Sequence, residues 1–289
     1  MKHSVKRTQV KKTFRYISMA ALAMVGTMMS SCTSDDIATE APQPNIKTVT
    51  MTIGFDEGAQ TRALTAGGVK TFSVGEMVAL LYKSTSGENI WIESEALTAS
   101  DISDDGKQAK ITVIMSNPDE SKMARLIYPS SMANGNLPPE VNINDDESTI
   151  YFDKLADSQD GTLDLLSKAF DLCTCDDILG NMVLSEEKGA MMPLLTNRLA
   201  ICKFTIKDDG GTDITDQVNE LIISDGTNSY TINRTPAAGP IYVAMRPVAN
   251  KDIQLTATTS ASLAYQKSVS GQTLVAGSLY PINVKMEQK

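Results

Sequence analysis

The sequence predicts an all-β protein assembled from sandwiches, with few short helices. A dozen short runs rich in β-branched and aromatic residues point to strands, and polar clusters rich in Gly, Pro, Asn, Asp and Ser fall between them. Length sets the domain count. From Val49 to Lys289 there are 241 residues, which suits two modest domains better than one.

The first run, "TVTMTIGF", places Val49, Met51, Ile53 and Phe55 on one face and Thr48, Thr50, Thr52 and Gly54 on the other. Strict period two is the pattern of a half-buried strand. "MVALLYK" (77–83), "NIWIES" (89–94), "KITVIMS" (110–116), "RLIYP" and "STIYFD" follow, with turns such as "SNPDE" and "ANGNLPPE" between them. "GTLDLLSKAF" is the best helix candidate, and a short one. A boundary is drawn at 191–193, before the apolar run that opens at Leu194, dividing a first domain, 49–193, from a second, 194–289. The second domain reads as "LAICKFTI", "ELIIS", "SYTIN", "PIYVAM", "IQLTAT" and "LYPINVKM". In the last of these Tyr280, Ile282, Val284 and Met286 share a face, again at period two.

Residues 1–31 carry six Lys and Arg, no acid, a short mostly apolar run and then "SSC". A basic start, an apolar stretch and small residues before a cut describe an export signal. The run is short for a membrane-spanning helix. Small residues before Cys32 look like a lipobox with Met29 at its third position back, so Cys32 is the expected lipidation site. "CTSDD" resembles the acidic surface-export tag of Bacteroides-group lipoproteins, and residues 32–48 read as a tether containing Pro42 and Pro44.

Charge and composition exclude several classes. The chain has 26 Lys and Arg against 35 Asp and Glu, and removing the signal leaves 20 against 35, a net of −15. Such an acidic body repels phosphate backbones, so nucleic acid is not an expected partner. The one histidine, His3, leaves with the signal, which removes imidazole bases, Ser–His and Cys–His pairs and His-ligated metals together. No catalytic residue, metal site or cofactor is expected. "DISDDG" (101–106) opens like a calcium loop, but its twelfth position is Thr112 where the ion needs a bidentate Glu. Cys173 and Cys175 are too close for an easy mutual bridge; either could reach Cys202, and buried thiols are the preferred reading. A glycosidase carboxylate pair is open to so acidic a chain, yet a lone Trp91 offers little aromatic platform for sugar.

The stretch "FDEGAQTRALTAGG", 55–68, runs from the end of the first strand into a pliable small-residue loop of the kind most readily cut, with Arg62 in it. By itself Arg62 reads as a surface arginine. A cut after it would leave the first strand held only by pairing and packing. Four apolar side chains at ~1.5–3 kcal/mol each put roughly 6–12 kcal/mol of gross burial at stake. The bared groove and its unpaired backbone would invite a strand from another molecule.

In their order along the chain, "SCTSDD", the strand followed by "QTRA", "FSVGEMVALLYK", "RLIYPSS", "LLTNRLAICKFTI" and "AGSLYPINVKM" resemble the fimbrillin family of Bacteroides-type (type V) pili. The resemblance implies two tandem transthyretin-like β-sandwich domains and a structural, non-enzymatic pilus subunit that supports adhesion. It implies export as an outer-membrane lipoprotein and a cut by an arginine-specific surface protease at the Arg62–Ala63 bond. Other fimbrial subunits then fill the groove vacated by Val49, Met51, Ile53 and Phe55, with Tyr280, Ile282, Val284 and Met286 as the candidate donor strand. Two alternatives stand beside it. The last strand belongs to its own domain and the chain is a tip or minor subunit, or the chain is a permanently anchored lipoprotein that binds glycan or a host ligand.

Overall fold

The computed structural model describes residues 44–56, 70–176 and 192–289. β1 (Ile46–Phe55), β2 (Ala79–Lys83), β3 (Asn89–Glu93), β4 (Gln108–Ser116), β5 (Arg125–Tyr128), β6 (Cys173–Asp176) and β7 (Leu194–Asn197) make one seven-stranded sheet in the order β3-β2-β5-β6-β7-β1-β4. The sheet folds over on itself. Ser116 at the end of β4 donates its backbone N–H to Tyr82 Oη on β2 at 2.9 Å, and Thr85 N donates to Asn117 O at 2.8 Å. The two layers enclose a first core of β1 and β4 side chains packed against Leu80, Tyr82, Leu126 and Tyr128.

β8 (Ala200–Lys207), β11 (Ile241–Met245) and β14 (Leu279–Lys285) form a three-stranded sheet, order β11-β8-β14. It faces a five-stranded sheet, order β10-β9-β12-β13-β15, made by β9 (Val218–Ser224), β10 (Ser229–Asn233), β12 (Val248–Thr259), β13 (Ala264–Leu274) and β15 (Glu287–Gln288). Phe204, Ile206 and Val243 on one side meet Leu221, Ile223 and Leu255 on the other in a second core. The protein is therefore all-β, with sheets in sandwich-like pairs and only short helices. β7, which opens beside the boundary drawn in the sequence, pairs with β6 and with β1.

"ALLY" at the start of β2 is buried throughout, because the strand is covered on both faces. Leu80 and Tyr82 enter the first core, while Ala79 and Leu81 enter the second. The second face is roofed by the segment between β5 and β6, which holds α1 (Asp146–Thr149), α2 (Lys154–Asp157) and α3 (Leu163–Leu165). Here one sequence expectation changes. "STIYFD" is not a strand: Asp145 caps α1 by accepting from Glu147 N at 3.0 Å, and Ile150 makes only an isolated bridge to Ala133. An N-cap and two acids in the first turn favour helix over the β-branched run that follows. "GTLDLLSKAF" forms one α-turn and then a π-helical turn, Leu166–Phe170, which sets Leu166 and Phe170 into the second core.

The acidic turns use their own carboxylates. Asp101 Oδ2 accepts from Thr98 N at 2.9 Å, and Asp105 Oδ1 accepts from Ser103 Oγ at 2.7 Å and Lys107 N at 3.0 Å. Asp225, buried at the β9–β10 turn, accepts from Thr227 N, Asn228 N and Asn228 Nδ2. Burial pushes its carboxyl up, but the Asn228 and Thr227 bonds and the Lys251 charge outweigh this and hold it below the usual carboxylate value. A depressed folded value means stabilisation present at neutral pH and lost as pH falls through that value. An Asp225→Asn variant should therefore unfold at lower urea than wild type at pH 7, and the gap should close on acidification.

Candidate functional site: the first strand and its groove

β1 lies between β4 and β7, and its two sides are held unequally. Along β4 it pairs antiparallel at nine positions, from Ile46 opposite Ser116 to Gly54 opposite Gln108. Along β7 it pairs in parallel only at Gly54 and Phe55. There Gly54 N donates to Pro193 O and Asp56 N donates to Leu195 O, both at 3.0 Å. The strand opens at Ile46, three residues before the expected Val49.

Val49, Met51, Ile53 and Phe55 all point into the first core, with Ile53 fully enclosed. Thr48, Thr50 and Thr52 face outward, and Thr50 Oγ1 meets Thr112 Oγ1 at 2.9 Å. Gly54 is the exception on the outer face. A side chain there would come within 2.9 Å of Met192 Cε, so the glycine lets the residues before β7 cross β1 closely.

At its C-terminal end β1 enters an aromatic cluster. The Phe55 ring stacks on Phe72 at 4.3 Å and meets Tyr128 edge-on at 5.7 Å. Lys70, buried, places its Nζ 4.3 Å from the Tyr128 centroid and 5.2 Å from that of Phe55. Its ammonium pairs with the buried Asp171 carboxylate at 2.6 Å. Tyr128 Oη donates to Glu76 Oε2 at 2.5 Å; burial, and then the Glu76 charge, push the phenol far above its ordinary value. Sequence reading missed Lys70, Phe72, Tyr128 and Asp171. "FSVGEMVALLYK" and "RLIYPSS" had flagged two of their segments, but no spacing linked them.

The other expected strand, β14, runs parallel to β8 with seven paired positions, from Leu279 opposite Ile201 to Lys285 opposite Lys207. Val284 and Met286 are buried in the second core, and Tyr280 and Ile282 are half-buried against it. No strand covers the outer edge of β14 among the described residues. Beside it Ile282 and Val284 line an apolar cleft of ≈ 100 Å³ with Phe204, Leu255 and Leu274. Cys202 also lines this cleft, and burial pushes its thiol up to about 12. Cys173 and Cys175 are buried on β6 in the first core. Cys32, Arg62 and Ala63 lie outside the described residues. β1 and β14 are thus each placed as strands, in different sheets; the structure does not bring them together.

No family model matches the chain, and no curated protein matches it. Among solved structures, a candidate cell adhesion protein from Bacteroides ovatus is similar at 13% identity and a TM-score of 0.45, over 84% of this chain and 95% of its own. A fimbrial assembly protein from Parabacteroides distasonis is similar at 11% identity and a TM-score of 0.38, over 83% and 91%. A candidate cell adhesion protein from Bacteroides uniformis is similar at 16% identity and a TM-score of 0.40, over 84% and 97%.

Proposed function

We propose that the chain is a structural subunit of a surface fimbria, exported as a lipoprotein through Cys32 and matured by a cut between Arg62 and Ala63. The observation that carries this reading is β1 itself. It is paired at nine of its ten residues with one neighbour and at only two with the other, and its four core side chains leave together if it leaves. The residues between it and Lys70 carry one basic side chain, Arg62. After the cut, the segment from Cys32 to Arg62 is bound without a covalent bond. Its departure releases the body from the lipid and opens a groove one strand wide between β4 and β7. A strand of a neighbouring subunit fills that groove, adding backbone pairs on one side and side chains to the core beneath.

For the donor, two readings remain, and β14 favours one. Its seven pairs and the buried Val284 and Met286 belong to its own sandwich, so giving the strand away opens the second core. This weighs toward a tip or minor subunit that receives a strand without donating β14.

Treatment of the purified lipoprotein with an arginine-specific protease tests the proposal. A stable fragment with Ala63 as its N-terminus is expected, and it should enter ladders that resist mild detergent when a strand-donating fimbrial subunit is added. Arg62→Ala should give neither the fragment nor the ladders. A chain that keeps β1 after cleavage and stays monomeric would leave a permanently anchored lipoprotein that binds glycan or a host ligand as the better reading.

A further inference from the structure

Lys70, Asp171 and Asn197 form a polar cluster inside the first sandwich that the strand-exchange reading does not use. Lys70 and Asp171 are buried, with Lys70 Nζ 2.6 Å from Asp171 Oδ2. Asn197, at the end of β7, has its amide oriented so that the nitrogen donates to Asp171 Oδ1 at 3.0 Å and to Leu172 O at 3.2 Å. One carboxylate therefore touches an amine with one oxygen and a primary amide with the other. The Cys173 sulfur closes the cluster, 3.6 Å from Lys70 Nζ and 3.5 Å from the same amide position of Asn197. Rings of Phe55 and Tyr128 flank the amine.

A buried ion pair is a poor source of stability, because desolvating both charges offsets their attraction. An enclosed amine and a carboxamide that share one carboxylate have a second use: they gather a nucleophile, its base and an acyl donor around one group. We propose that Lys70 and Asn197 join in an intramolecular amide bond, with Asp171 as the proton carrier.

The step balances within the cluster. Asp171 takes a proton from the Lys70 ammonium, and the free amine attacks Asn197 Cγ to form the Nζ–Cγ bond. The Asp171 proton passes to the departing amide nitrogen, the Cγ–Nδ2 bond breaks, and ammonia leaves. The second proton lost by Lys70 Nζ stays on Asp171. An ammonium, a carboxylate and a primary amide become a secondary amide, a carboxylic acid and ammonia, with no oxidant and no cofactor. Both buried charges disappear. Asn197 is half-buried, which leaves ammonia a route out.

The bond would tie the residue that follows 57–69 to the end of β7, the strand against which β1 ends. It is independent of whether the chain forms fibres. A chain cut after Arg62 would keep its new N-terminal segment fastened beside the groove.

A peptide map of the folded full-length protein, denatured and digested with trypsin, decides it. Trypsin does not cut at an acylated lysine, so residues 63–83 should appear uncut at Lys70 and branched to residues 189–198, one ammonia lighter than their sum. Asn197→Ala and Asp171→Ala should restore cleavage at Lys70. Recovery of 63–70 and 189–198 as separate, unmodified peptides from wild type would overturn the proposal, whatever the variants do. A branch to Asp171 with loss of water would overturn Asn197 as the acyl donor, and a bond persisting in Asp171→Ala would overturn the carboxylate's role.

Discussion

Truncating Phe55 to alanine should destabilise the uncut protein by about 3–5 kcal/mol, the usual range for an enclosed phenylalanine. The ring is buried, stacked on Phe72, set against Tyr128 and within reach of the Lys70 charge, so its removal leaves a void lined by three aromatic or cationic neighbours. A urea titration followed by circular dichroism reads this as a lower midpoint with an unchanged slope. The same substitution discriminates between anchored and exchanged states. In a chain that begins at Ala63, Phe55 is gone, so wild type and variant must become indistinguishable once residues up to Arg62 have left. A difference that survives maturation would mean β1 stays in its groove, and the proposed polymer mechanism would fail.

The second large effect is expected at Arg125. This residue on β5 is 2% exposed, yet it holds Asp176 Oδ1 at 2.6 Å, Asp146 Oδ1 at 2.7 Å and Thr149 Oγ1 at 2.7 Å. Asp146 also receives Arg198, so one guanidinium and one carboxylate fasten α1 to the sheet and to the chain leading into β8. Replacing Arg125 by methionine keeps the stem and deletes the charge. Breaking a buried pair from one side costs about 3–5 kcal/mol. With Asp146 and Asp176 side chains 32% and 39% open to water, roughly 3 kcal/mol is the better expectation. A loss under about 1 kcal/mol in the same titration would show that solvent and Arg198 already compensate both acids, as at a surface pair.

What the sequence could announce was periodicity. β1, β4 and β14 alternate along their lengths because each has one face on a core, and alternation is a local property. β13 escaped notice for the opposite reason. "AYQKSVSGQTL" buries only Tyr265 and Leu274, its other residues being exposed or half-buried, and its pairing with β12 supplies order that its side chains do not advertise. β6 and β7 are four residues each, too short to show a period. The polar cluster was illegible in principle: Lys70 and Asp171 meet across 101 positions of chain, and nothing in either neighbourhood marks a charge as enclosed. The apolar face of β14 could be read, but not that its partner would be β8, nor that the two would run in the same direction.

That shared direction governs how the second sandwich would respond to tension. A pull entering at Ala200 and leaving at Lys285 draws β8 and β14 along their length in opposite senses. All seven rungs are then strained at once, and none can yield before its neighbours as the rungs of a peeled hairpin do. Traction applied between Ala200 and Lys285 thus meets the whole ladder together, as a shear rather than a peel.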